Sequence, residues 1–100
     1  MPIKATAVIR RESKTDPKTR NKAFYASLSL RDETGNDYGL PRYLSEFQEI
    51  GNLLQREAGV TYQELQDCVP RYERGEEVRI SLNLEDDEAI KHLGFTPRQG

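Results

Sequence analysis

The chain has no tryptophan, one cysteine, one histidine and one methionine. A lone Cys68 excludes an internal disulfide. With Cys68 and His92 as the only thiol and imidazole, a zinc site would have to be completed by carboxylates, so no metal is expected. A Cys–His pair can serve as a nucleophile and its base. Here, however, the spacing puts Cys68 on the apolar side of a helix, where a free cysteine packs as a small core residue. His92 falls in the last turn of a short helix, where it complements the helix dipole. There is no P-loop, no G-x-G-x-x-G and no nucleophile elbow, and neither catalysis nor a cofactor is expected. No apolar run approaches the roughly 20 residues of a membrane span, and a signal-peptide h-region is missing. A soluble, cytoplasmic domain with no membrane partner is therefore expected.

Apolar residues make up only 35% of the chain and charged residues 32%, but the apolar ones are ordered. Ile3, Ala5, Ala7 and Ile9 alternate with Lys4, Thr6, Val8 and Arg10. Phe24, Ala26, Leu28 and Leu30 alternate with Tyr25, Ser27, Ser29 and Arg31. Val78, Ile80, Leu82 and Leu84 alternate with Arg79, Ser81, Asn83 and Glu85. Period-two alternation is the mark of a half-buried strand. Residues 11–22 between the first two strands contain no apolar side chain except the Pro17 ring and read as a basic loop. Turn residues fill 32–37, and Tyr38 to Leu40 predicts a short third strand that Pro41 ends.

Ser45 with Gln48 fits a capping box, with Leu44 placed to staple onto the helix that follows. That helix carries Phe47, Ile50, Leu53, Leu54 and Ala58 on one stripe. Gly51 inside it points to a close helix–sheet approach, and Gly59 to the helix end. Thr61 with Glu64 is a second capping box, ahead of a helix turning Leu65, Cys68 and Val69 inward, which Pro70 should end or kink. Asp86 or Asp87 caps a last short helix reaching Leu93, closed by Gly94, with Phe95 folding back. The fold class is α+β: a three- to four-stranded, mainly antiparallel sheet in the order β-β-(β)-α-α-β-α, with helices on one face. One domain spans residues 1–100, with 96–100 as a flexible tail. The predicted core is Ile9, Phe24, Ala26, Leu28, Phe47, Leu54, Val78, Ile80 and Leu82.

Charge is divided unevenly. Residues 1–31 hold eight Lys/Arg against Glu12 and Asp16, a net +6; the rest hold seven against fifteen, a net −8. By strand parity Lys4, Arg10, Tyr25, Arg31 and Arg79 share the polar sheet face. The loop adds Arg11, Lys14, Lys18, Arg20 and Lys22. Cations, hydroxyls and an aromatic on an open sheet suit phosphate contact and base stacking. The plainer account is a solvated face whose charges protect strand edges, and a net charge of −2 counts against a dedicated polyanion binder. The run from Glu85 to Glu88 lacks Ca²⁺-loop spacing and reads as acid at a helix N-terminus.

Asn21 to Leu30 resembles the second strand of bacterial single-stranded DNA-binding OB-fold proteins, and Tyr72 to Ile80 resembles the turn and strand after their helix. The likeness covers about 20 residues, and an OB fold needs five strands where the middle of this chain reads as helices. The stacking tryptophans of that family are missing, and membership is not assigned. Two readings stay open. One is a small non-catalytic module that contacts nucleic acid through the basic hairpin and polar sheet face. The other is a protein-interaction or regulatory module, such as an inhibitor, an antitoxin-like partner or an accessory subunit. It would use the same charged surface, or a sheet edge, against an acidic protein. Both readings allow a homo-oligomer.

Overall fold

The computed structural model describes residues 3–39, 46–85 and 87–97. The elements run β1 (Ile3–Thr15), β2 (Lys22–Asp32), β3 (Asp37–Gly39), α1 (Phe47–Ala58), α2 (Tyr62–Glu73), β4 (Val78–Leu84), α3 (Asp87–His92) and β5 (Thr96–Pro97). The fold is the expected α+β arrangement. Four strands pair antiparallel, and the two-residue β5 adds to β3, giving the order β4-β1-β2-β3-β5. Thr96 and Pro97, expected in a loose tail, are thus tied into the sheet edge; the rest of that tail lies outside the described residues. The sheet is open, with β4 and β5 at opposite edges, and forms no OB barrel.

Alternation decides which face is covered. Ala5, Ala7 and Ile9 of β1, Ala26, Leu28 and Leu30 of β2, and all four apolar residues of β4 are buried. Against them pack Ile50 and Leu54 of α1, Leu65 and Cys68 of α2, and Ile90 of α3, with Val60, Leu93 and Phe95. Phe95 reaches the core because Gly94 turns the chain left-handed (φ 93°) and the Phe95 amide donates back to the Ile90 carbonyl.

Several expectations need correction. Only half of residues 11–22 is a loop: β1 continues to Thr15 and β2 begins at Lys22, paired in register as far as Thr15 opposite Lys22. Only residues 16–21 turn. Asp16 holds that turn: its side chain accepts the Lys18 amide at 2.8 Å and its carbonyl accepts the Arg20 amide at 2.8 Å. Because β4 stops opposite Ile9, the hairpin beyond that point projects as a two-stranded arm. Phe24 lies on this arm, past the covering helices, and is 53% exposed rather than buried. Phe47 is only partly buried, against Tyr72, with ring centroids 4.6 Å apart.

Pro70 does not end α2, which runs on to Glu73 with the Arg74 amide donating to the Pro70 carbonyl. The ring is exposed, and so is Gln66, whose carbonyl loses its usual helical donor and can turn to water. Gly51 allows a close helix–helix contact, not a helix–sheet one: a Cβ there would stand 3.2 Å from Leu65 Cδ1. The N-cap of α1 is Glu46, without a side-chain cap bond, so the helix starts one residue later than the Ser45 box predicts. Ser45, Leu44, Leu40, Pro41 and Asp86 lie outside the described residues. The Thr61–Glu64 capping box is present in both directions.

Candidate functional site

The polar sheet face is assembled by parity and register. Val8 lies opposite both Ser29 and Arg79, Thr6 opposite Arg31 and Ser81, Arg10 opposite Ser27, and Lys4 opposite Asn83. These side chains share the face away from the helices, as expected. A shallow depression there is lined by Thr6, Val8, Arg10, Ser29, Arg31, Asp37, Glu77 and Arg79.

Its arginines are engaged. Arg10 donates to Glu77 Oε1 through Nε at 2.9 Å and Nη2 at 2.6 Å, and Arg79 Nε donates to Glu77 Oε2 at 2.7 Å. One carboxylate therefore bridges two guanidinium groups, and those hydrogen bonds hold its pKa below the ordinary value. Arg31 Nε donates to Asp37 Oδ1 at 2.9 Å, across the β2–β3 pair, which raises the Arg31 pKa. Reasoning from sequence missed Glu77 and Asp37 as neutralising partners. The signal was there: carrying the β4 alternation one step back puts Glu77 on the face of Arg79.

Beside this face, Asp32 organises the β2–β3 turn. Its Oδ1 accepts the Thr34 and Asn36 amides and the Thr34 hydroxyl, and its Oδ2 accepts from Asn36 and the Tyr38 hydroxyl. Burial pushes its carboxyl up, but the bonds from Thr34 and Asn36 together outweigh that and lower the pKa.

The arm divides into a root and a tip. At the root Arg11 faces the helix side. Its Nη1 donates to the Glu73 carbonyl at 3.2 Å, and its guanidinium lies 4.0 Å from the centroid of the Phe24 ring. This fastens the arm to the C-terminal end of α2, where carbonyls lack helical donors and favour a cation. Arg11 is thus drawn away from the tip cations. Tyr25 is half-buried on the outer face, opposite Glu12. Toward the tip, Lys14, Lys18, Arg20 and Lys22 are exposed, and among the described residues none of the four takes part in an ion pair.

Away from the sheet, Cys68 is buried in the core, with Arg71 Nη2 at 3.9 Å from its Sγ. His92 is exposed on α3, with Nε2 3.2 Å from Glu57 Oε2. Glu88 pairs with Lys91 at 3.7 Å. Among the described residues no group of three or more His, Cys, Asp or Glu side chains converges as a metal site, and no helix is long and apolar enough to cross a membrane. Tyr62, 65% exposed, stands over a groove between α1 and α2 lined by Phe47, Gly51, Leu65 and Val69. The chain matches no protein-family model, no curated protein and no solved structure.

Proposed function

We propose that this chain is a non-catalytic binding module that contacts nucleic acid through its projecting basic arm. One observation carries the reading: a two-stranded ribbon extends past the core and gathers Lys14, Lys18, Arg20 and Lys22, none of them in an ion pair among the described residues. A two-stranded β-ribbon fits the major groove of a duplex, and exposed cations gain affinity by releasing counterions from phosphates. The contact narrows from the whole sheet face to the arm. Arg10, Arg31 and Arg79 would each have to give up a carboxylate to reach a phosphate, whereas the tip cations would give up only water. Tyr25 lies on the outer face of the arm opposite Glu12 and extends the contact, whereas Lys4, opposite Asn83 at the other end of β1, stands apart from it.

The test is Lys18→Glu, Arg20→Glu and Lys22→Glu combined, with binding to single- and double-stranded oligonucleotides measured against salt concentration. Residues 16–22 are all exposed, so stability should stay within about 0.5 kcal/mol. Binding should fall, and the salt slope should shrink by about 0.9 for each duplex phosphate that the variant no longer neutralises. Salt-dependent binding that the triple variant leaves unchanged, or no binding by the parent protein, refutes the reading.

A second reading, a protein-interaction or regulatory module docking on an acidic protein, is favoured by the paired arginines of the sheet face. A face already neutralised by its own carboxylates suits contact with another protein better than contact with a polyanion.

A further inference from the structure

We propose that two copies of this chain associate through the open edge of β1, with Arg11–Thr15 of each pairing antiparallel about a two-fold axis through Ser13. Of the tip cations this pairing uses Lys14 alone, and it does not depend on what Lys18, Arg20 and Lys22 bind.

The backbone supplies the opportunity. From Ala5 to Ile9, β1 is flanked by both β2 and β4; beyond Ile9 it keeps only β2 among the described residues. Among the described residues, alternate N–H and C=O groups on the other side of residues 11–15 have no strand partner, and such an edge templates pairing with another chain. A ribbon of two strands is also marginal in water, and a third strand stabilises it.

The charge sequence selects the partner and the register. Antiparallel pairing about Ser13 sets Glu12 opposite the second copy's Lys14, and Lys14 opposite its Glu12. Arg10 and Asp16 add no pair: Arg10 is held by Glu77, and Asp16 lies past the end of β1 with its side chain on the Lys18 amide. Glu12 and Lys14 share the outer face, so each of their two pairs is of opposite sign and within reach. On the inner face Ser13 meets Ser13 and Arg11 meets Thr15, without like charges or bulk at the axis. Sliding by two residues one way sets Lys14 against Lys14 and Glu12 against Asp16. Sliding the other way sets Glu12 against Glu12 and Arg10 against Lys14. Only the proposed register avoids like-charge pairs. A strand of another protein would meet the same charges unmatched, so the pattern that protects this edge from others admits its own copy. The arm's other edge, on β2, has Lys22 as its only charge and pins no register.

Five residues per copy form an interface well below the roughly 1,200 Å² of stable complexes, so the dimer should be weak, micromolar or looser. Sedimentation equilibrium up to about 0.5 mM protein at low salt covers that range. The parent protein should dimerise. Lys14→Glu and Glu12→Lys should each raise the dissociation constant by about tenfold or more, since two opposite-sign pairs become like-charge pairs. The double variant carrying both changes should recover the parent affinity. An equimolar mixture of the two single variants should form heterodimers where neither self-associates. Neither side chain enters the core, and unchanged melting of every variant verifies that the monomer is intact. The proposal is overturned by a parent protein that stays monomeric throughout, by single variants that dimerise as the parent does, or by a double variant that fails to recover.

Discussion

Leu28 and Phe24 sit four residues apart on the same face of β2, yet one is buried in the core and the other stands in solvent. The difference is where β4 and the helices end, not the side chains themselves. Leu28→Ala should cost about 2–5 kcal/mol, the transfer term plus the cavity left behind. Phe24→Ala should cost below about 1 kcal/mol, chiefly the stacking of Arg11 on the ring. Chemical denaturation of the two variants checks the contrast. Glu77 makes a different prediction. Arg10 and Arg79 lower its folded pKa, so its contribution is complete above the unfolded carboxylate value and is lost as pH falls through the folded one. Parent protein and Glu77→Gln should therefore differ in stability at neutral pH and converge in the acid range, as melting curves against pH will report. A constant gap down to the lowest pH would disprove the linkage.

At the scale of elements, the strands over the core and the capped second helix were legible because each carries its own local rule. Strict alternation marked β1, β2 and β4 where one face is covered, and Thr61 with Glu64 marked the start of α2. The outer arm was illegible for the same reason. Residues 11–15 are bathed by solvent on both faces, so no apolar period is written into them, and pairing with β2 alone makes them a strand. The Arg10, Arg79 and Glu77 constellation was half legible: parity placed the cations on one face, but the bridging carboxylate lies one residue before the strand. Pro70 misled because its breaking rule concerns one hydrogen bond and one ring, and here the ring is exposed and the bereaved carbonyl belongs to an exposed residue. Pro70→Ala restores a donor to Gln66, which should outweigh the gain in unfolded-chain entropy and stabilise the protein by about 1–2 kcal/mol. A fall in melting temperature would instead assign the ring a packing role.

For the whole molecule, charge and topology work together. The basic hairpin and the acidic remainder are joined on the outer face, where Glu77 and Asp37 meet arginines of β1, β2 and β4. Solvent-exposed pairs of this kind contribute little to stability, so the fold rests on the apolar layer between sheet and helices. The ion pairs chiefly decide which cations remain for a partner.

The position of β1 between β2 and β4 also bears on how the chain is made. A ribosome delivers the hairpin well before the strand that completes its other side, Val78–Leu84, which follows β3, α1 and α2. Until α1 and α2 are made Ala5, Ala7, Ile9, Leu28 and Leu30 have no helix to cover them, and throughout the interval β1 lacks β4. Closing β1 onto β4 also spans most of the chain, an entropic cost met only once those distant residues exist. The nascent protein is therefore exposed to misassociation until β4 emerges. A chain stopped before Val78 should be unfolded or aggregated by circular dichroism and light scattering. A stably folded fragment of that length would show instead that the hairpin and the first two helices form a self-sufficient unit.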